Sequence, residues 1–169
     1  MINHLTKIIF MTFIIANTLV FAQQIESENY LNCGKNAQAI KLAQLIIESD
    51  NQQRTELICH KKLAEIAEIK AKSMAVANKI KHRIDYTTPN QLLRKHGIVL
   101  PKNYLLFDNQ VESIMGAVKT AQDSFDVFMT SPDHKIHLLG EKDFLLKQNH
   151  IGVGFFKDDS TKYVYHWVV

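Results

Sequence analysis

The sequence predicts an α+β fold, in which a sheet has helices packed on both of its faces. Apolar residues recur at helical spacing in residues 36–49 and 61–80, and the last residues form two β-branched and aromatic runs around a polar turn. Helices followed by a terminal hairpin are typical of an α+β domain. Residues 23–169 are enough to bury one core, and no repeat, low-complexity tract or internal linker divides them.

Residues 1–22 have the pattern of a secretory signal peptide. Lys7 supplies the positive charge, the apolar stretch 8–21 follows it, and Ala22 is a small residue before the predicted cleavage site. The alternative is a transmembrane anchor, which needs about 20 apolar residues, whereas this run is shorter and interrupted by polar residues. We therefore expect cleavage after Ala22, no stable membrane span in the processed chain, and a secreted or periplasmic protein.

Charge and cysteine content narrow the classes of function. The formal net charge of +3 is too small to indicate nucleic-acid binding, and we expect the charges to be evenly spread along the chain. Cys33 and Cys59 are the two cysteines of the chain, and in an exported protein such a pair most simply forms one disulfide. Two buried thiols are the alternative, and neither cysteine lies in a catalytic motif.

The third helix has the clearest start and stop signals. Thr88 is a good N-cap, Pro89 suits the first helical position, and Gln91 completes a capping box. Gly97 then suits the position after the last turn. We therefore predict a short helix over residues 89–96.

The remaining elements are predicted from local patterns. Residues 104–107 are a strand candidate, and Thr120 is expected to cap a helix that runs to about Met129 and stops at Ser131 and Pro132.

The C-terminal end of the chain is predicted to form a hairpin. Residues 151–156 and 163–169 form an antiparallel pair around a polar turn. Gly152 and Gly154 in its first strand indicate a close approach of another backbone.

Several segments, in order from about Leu57 to the C-terminus, resemble the CAP superfamily (SCP-like proteins), above all its short bacterial secreted members. L-I-C-H-K-K-L-A-E-I-A-E-I-K-A-K-S-M-A resembles the second helix of the family, and V-E-S-I-M-G resembles its E-N-I segment. F-M-T-S-P-D-H-K-I-H-L-L-G resembles the stretch with the second family histidine, and I-G-V-G-F-F and Y-V-Y-H-W-V-V resemble the closing strands. The resemblance implies a three-layer α-β-α sandwich with a cleft.

The resemblance also implies a site. It places His82, Glu112 and His134 in the cleft, where some members of the family bind a divalent metal. Imidazole nitrogen and carboxylate oxygen are suitable zinc ligands, so Zn²⁺ or another divalent cation is the implied cofactor. His137 is an alternative to His134. The chain departs from the family pattern at four positions: Ser113, Phe128, Ser131 and Asp133.

Three functions are compatible with this site. The first is a secreted, non-enzymatic module that binds a divalent ion, a small or cell-envelope ligand, or a protein partner. The second is a metal-dependent hydrolase acting on peptides or cell wall, in which Glu112 and the two histidines would be catalytic. The third is a lipid- or sterol-binding protein. The sequence contains no nucleophile elbow and no H-E-x-x-H helix, which favours the binding module.

Overall fold

The computed structural model describes residues 30–169, which form six helices and five short strands. The predicted signal peptide lies outside these residues. The helices, after a 3₁₀ turn at Leu31–Cys33, are α1 Ala37–Ile47, α2 Lys61–Val76, α3 Pro89–Lys95, α4 Ala121–Thr130, α5 Pro132–Leu139 and α6 Asp143–Leu146. The strands are β1 Ile58–Cys59, β2 Ile114–Gly116, β3 His150–Ile151, β4 Gly154–Lys157 and β5 Tyr165–Val168. The α+β class is confirmed.

The strands form two small sheets. β5 lies in the centre of an antiparallel sheet of order β2-β5-β4, and β1 pairs with β3 in parallel. The predicted terminal hairpin is confirmed, since Phe155 pairs with Trp167 and Lys157 with Tyr165. The turn between the two strands is the polar segment 158–164.

A separate hydrophobic cluster lies on each face of the three-stranded sheet, because alternate residues of a strand point to opposite faces. The cluster on one face, called here the Trp167 cluster, contains Trp167, Met115 and buried residues of α1, α4 and α5, among them Leu42 and Phe128. The Met74 cluster lies on the opposite face and joins Ile114 and Val168 to α2.

Helix α2 approaches the last strands very closely. A Cβ atom at Gly152 would overlap the backbone of Leu63 and Ala64, and one at Gly154 would overlap the backbone of Ala67. Glycine at positions 152 and 154 and alanine on the helix leave room for this contact. The close approach predicted from the two glycines is confirmed.

The helix boundaries follow from their caps. Asn36 caps α1, Thr120 caps α4, and the predicted capping box of Thr88 and Gln91 begins α3. α2 ends four residues earlier than the predicted residue 80. Asn78 adopts a positive φ of 50° and the Lys79 N–H donates to the Met74 carbonyl, which is the pattern of a Schellman stop.

The predicted strand at residues 104–107 is wrong. Side chains bind the backbone of this segment instead of a neighbouring strand. Thr88 Oγ1 donates to the Leu106 carbonyl at 2.8 Å, Arg94 Nη2 donates to the Tyr104 carbonyl at 2.7 Å, and the Leu105 N–H donates to Gln110. The segment is therefore an anchored loop.

The disulfide between Cys33 and Cys59 is confirmed. It joins the 3₁₀ turn to β1, and the Cys33 carbonyl also accepts a hydrogen bond from the Val153 N–H, just before β4. The N-terminal turn is thus fixed next to both sheets, by a covalent bond at one and a hydrogen bond at the other. Within residues 30–169, no helix is both long and apolar enough to cross a membrane.

Candidate functional site

His82 and Glu112 are in direct contact. His82 follows the end of α2, Glu112 precedes β2, and His82 Nδ1 lies 2.9 Å from Glu112 Oε1. Asn109 fixes the geometry: its Oδ1 accepts from the Glu112 N–H, and its Nδ2 donates to the Glu112 carbonyl. Nδ1 of His82 also lies 3.0 Å from Asn109 Nδ2. A carboxylate accepts and an amide nitrogen donates, so the role of Nδ1 in each contact depends on the tautomer of the ring. The side chain of Glu112 is 6 % exposed and that of His82 is 43 % exposed.

Lys70 is a third, buried member of this cluster. Its Nζ donates to the carbonyls of Lys81 and His82 and lies 3.9 Å from Glu112 Oε1. Burial lowers the pKa of Lys70, and the charge of Glu112 acts in the opposite direction. Sequence reasoning missed this residue, although a signal existed: Lys70 falls at helical spacing between Ala67 and Met74, in the middle of the apolar face of α2.

His134 shares an open depression with His82. The depression is also lined by Ile80, Lys81, Arg83 and Ile114. The ring of His134 packs edge-on against Phe128, with centroids 5.0 Å apart. Burial lowers the pKa of His134, and the nearby His82 lowers it further. The structure therefore brings His82 and His134 to one surface, with Glu112 bonded to His82.

The predicted zinc site remains a prediction. Within the described part of the chain, no group of three or more His, Cys, Asp or Glu side chains is arranged to hold a metal ion. Glu112 is in contact with His82 and Lys70. A carboxylate bonded to one ring nitrogen of a histidine commonly orients the other nitrogen towards a metal, so Glu112 suits this supporting position better than that of a ligand.

His137 lies on a different wall from His134. Its Nδ1 is 2.7 Å from Ser113 Oγ, and it lines a deeper, half-open cavity rather than the open depression. Burial lowers the pKa of His137 to about 4, and the positive charges of Arg54, His134 and His82 act in the same direction. The ring is therefore neutral at physiological pH.

A cavity of about 340 Å³ lies between α2, α3, the loop 98–111 and the segment 147–152. This volume is at the lower end of the range of small-molecule sites, roughly 300–1,000 Å³. Most of its wall is apolar, including Leu57, Leu63, Ile66, Leu92, Leu93, Ile98, Leu100, Val111 and Val168. Sequence reasoning predicted a cleft from resemblance and did not predict this cavity.

The charged side chains on the cavity wall are mostly positive. Arg54, Lys70 and Lys147 line it, together with one acidic side chain, Glu112. Arg54 is held by three carbonyl groups, of His137, Leu138 and Leu145, and burial lowers its pKa. It forms no salt bridge within residues 30–169. The wall therefore favours an anionic group over a cationic one.

His60, His150 and His166 have structural positions. His60 caps α2, where its Nδ1 accepts from the Leu63 N–H, and it packs edge-on against His150. The side chain of His166 is fully buried in β5, and this burial lowers the pKa of its ring.

Comparison with known proteins gives one structural similarity. No protein-family model matches the chain, and no curated protein matches it. Among solved structures, it is similar to an outer surface protein from Borrelia burgdorferi, with a TM-score of 0.50 and 19 % identity over 76 % of this chain and 83 % of that chain. At this identity, the similarity concerns the fold alone.

Proposed function

We propose that this protein is an exported, non-enzymatic binding module of the CAP type that holds a small anionic amphiphile in its half-open apolar cavity. The cavity is the observation that carries the proposal, because its wall is apolar over most of its area and positively charged at a few points. An aliphatic chain would lie against α2, α3 and the loop 98–111. Its head group would lie near Arg54, which lines the cavity and forms no salt bridge within residues 30–169.

The arrangement of layers supports the CAP type. The sheet β2-β5-β4 has a helix-lined cluster on each face, as a three-layer α-β-α sandwich requires. The resemblance places His82 and Glu112 together in a cleft, and the two side chains are in contact. These observations add to the order of family-like segments in the sequence.

Export is supported by two further observations. Disulfides persist in oxidising compartments, and Cys33 and Cys59 are bonded. The similar solved structure is that of an outer surface protein. Both fit the predicted signal peptide and a location outside the cytoplasm.

A serine-nucleophile mechanism is disfavoured by the state of the Ser113–His137 pair. A serine and a histidine at 2.7 Å could suggest a nucleophile and its base. However, Ser113 is 2 % exposed, and a histidine with a pKa of about 4 is a weak base at neutral pH. We therefore assign this pair a structural role.

Calorimetric titration with three ligands of equal chain length tests the proposal. Decanoate should bind at one site, decanol more weakly, and decyltrimethylammonium weakest, because the wall carries excess positive charge. Leu93→Trp should abolish decanoate binding by filling the cavity. Val76→Trp is the matched control, since Val76 is exposed and lies outside the cavity. Equal binding by wild type and Leu93→Trp would contradict the proposal.

A divalent cation between His82 and His134 is the second candidate. The contact of His82 Nδ1 with Glu112 leaves Nε2 as the nitrogen for a metal, and both histidines line one depression. Titration with Zn²⁺ should give one site that is lost in His82→Ala/His134→Ala and weakened in Glu112→Gln. No heat of binding by folded wild type would remove this candidate.

A further inference from the structure

The loop that covers the cavity exposes large apolar side chains on its outer side. Val99 is 94 % exposed and Phe107 is 73 % exposed, and Leu105 and Leu106 are exposed beside it. The inner side of the same loop, with Ile98, Leu100 and Tyr104, lines the cavity. A cluster of exposed aliphatic and aromatic residues on one loop marks an interaction surface.

This loop is held in place. Thr88 and Asn90 at the start of α3 donate to the carbonyls of Leu106 and Leu105, and Arg94 at its end donates to that of Tyr104. Tyr104 also packs against Phe144, with centroids 5.1 Å apart. The outward apolar side chains are therefore presented by an anchored backbone.

The surrounding segment is strongly basic. Residues 79–108 contain two acids, Asp85 and Asp108, and six basic residues: Lys79, Lys81, Arg83, Arg94, Lys95 and Lys102. The whole chain has a formal net charge of +3, so the remainder of the protein is slightly acidic. The positive charge is therefore concentrated on one segment, which corrects the even distribution inferred from the total. All of these basic residues except Arg94 are exposed.

We propose that the loop 98–107 and its flanking lysines bind the surface of an anionic lipid bilayer. Apolar side chains beside Lys and Arg are the composition of interfacial membrane-binding segments, in which the apolar groups enter the acyl boundary and the cations meet lipid phosphates. The charge complementarity selects a bilayer over a second copy of the chain, because two copies would oppose like charges at this surface. This surface goes beyond the proposed amphiphile site and does not depend on the cavity being occupied.

Vesicle co-sedimentation tests the proposal on the full chain. Wild type should bind vesicles of phosphatidylglycerol and phosphatidylcholine, with binding reduced by salt, and bind pure phosphatidylcholine much more weakly. Val99→Ser/Leu105→Ser/Phe107→Ser should lower the affinity for anionic vesicles at least tenfold. Leu31→Ser/Val76→Ser/Val127→Ser is the matched control at three other exposed apolar residues, and should bind within twofold of wild type. All variants share residues 1–29, so any contribution of that segment is equal.

Two double variants that each remove two lysines test the contribution of charge. Lys95→Gln/Lys102→Gln should weaken binding to anionic vesicles about tenfold, whereas Lys35→Gln/Lys41→Gln, with the same change in net charge, should have less than a twofold effect. Circular dichroism and thermal melting would verify that every variant is folded. Vesicle binding that is unchanged in the loop variant, or a loop-dependent dimer without vesicle binding, would overturn the proposal. Leu93→Trp should keep vesicle binding while losing decanoate, which separates this proposal from that of the cavity.

Discussion

At the scale of single residues, the Lys70–Glu112–His82 cluster is the most consequential feature. Lys70 and Glu112 are both almost excluded from solvent, and two backbone carbonyls complete the coordination of the lysine. A buried charge is tolerated when a partner and hydrogen bonds compensate for lost hydration. Lys70 and Glu112 also line the cavity. The same side chains therefore contribute both to the stability of the fold and to the wall of the proposed binding site.

Replacing Glu112 by Gln should therefore destabilise the protein by about 3 kcal/mol, because it leaves the Lys70 ammonium without its anion. Urea unfolding at neutral pH would measure the effect. Glu141→Gln is the matched control, because its contact with Lys135 is largely exposed and is worth under about 1 kcal/mol. In a Lys70→Met background the effect of Glu112→Gln should shrink, and strict additivity of the two changes would contradict the coupling.

The low pKa of His137 gives a stability that depends on pH. Between its ordinary value of 6.5 and about 4, the unfolded chain binds a proton on this ring that the folded chain does not. Stability should therefore fall as the pH decreases through this window, by up to about 3 kcal/mol. The lowered pKa values of His134 and His166 act in the same direction.

His137→Asn should remove part of this pH dependence, because asparagine can keep the contact with Ser113 and does not titrate. Urea unfolding at pH 7.5 and pH 5 on both proteins would measure the difference. The variant should lose less stability between the two pH values than wild type. An identical loss in both proteins would show that His137 is not responsible.

Among the site residues, the family resemblance pointed to the contact between His82 and Glu112, whereas nothing in the sequence indicated the position of His137. The contact of His82 with Glu112 followed from family resemblance, since thirty positions separate them and local pattern carries no information on such pairs. The position of His137 beside Ser113 depends on the rotation of α5. That rotation is set by packing against α4, and no motif encodes it.

At the scale of elements, the close contact between α2 and the last strands limits which residues can occupy positions 152 and 154. Gly152 and Gly154 let the helix backbone approach the sheet where any larger residue would overlap main-chain atoms. Main chain cannot move aside as a side chain can. The alanine-rich face of α2 and the two glycines therefore act as one packing unit.

Gly154→Ala should destabilise the protein by about 3 kcal/mol or prevent folding, because its Cβ would overlap the backbone of Ala67. Gly116→Ala is a matched control in the same sheet, since its Cβ would meet only the side chains of Ile80 and Tyr163. Ile80 can change rotamer, so this variant should lose distinctly less stability in urea unfolding. Equal losses would contradict the account of the α2 contact.

Capped helices and the hairpin were predictable because their signals are local. Thr88, Gln91 and Thr120 bond to backbone groups three residues away, and the hairpin strands lie on either side of one turn. The strand predicted at 104–107 failed because its backbone partners are side chains of α3 and Gln110. Helix α5 is not predicted from the sequence, because Pro132 both ends the preceding helix and favours the first turn of a new one.

At the scale of the whole molecule, the disulfide holds the N-terminal turn against the sheets. The bond joins positions that are 26 residues apart. On the chain-entropy model, such a cross-link stabilises the folded state by about 3 kcal/mol. Cys33→Ala/Cys59→Ala should therefore lower the melting temperature by about 10 °C. Adding reductant should lower the melting temperature of wild type and leave that of the variant unchanged. A variant as stable as oxidised wild type would contradict this role.

The molecule as a whole joins three features on one side: a cavity, a buried charged cluster in its wall, and an apolar loop that lines the cavity and is flanked by lysines. The loop contributes to the cavity with one side and to the exposed surface with the other. This arrangement would place an amphiphile-binding site next to a lipid surface. The proposed binding function depends first on whether the cavity holds a ligand.

The position of a bound anionic amphiphile tests this claim most directly. Diffraction from crystals soaked with a decanoate brominated at its terminal carbon would locate the bromine by its anomalous signal. The account predicts a single bromine among Leu63, Leu92 and Leu93, with the carboxylate towards Arg54. A bromine found only outside the cavity, at concentrations where calorimetry shows one-site binding, would contradict it.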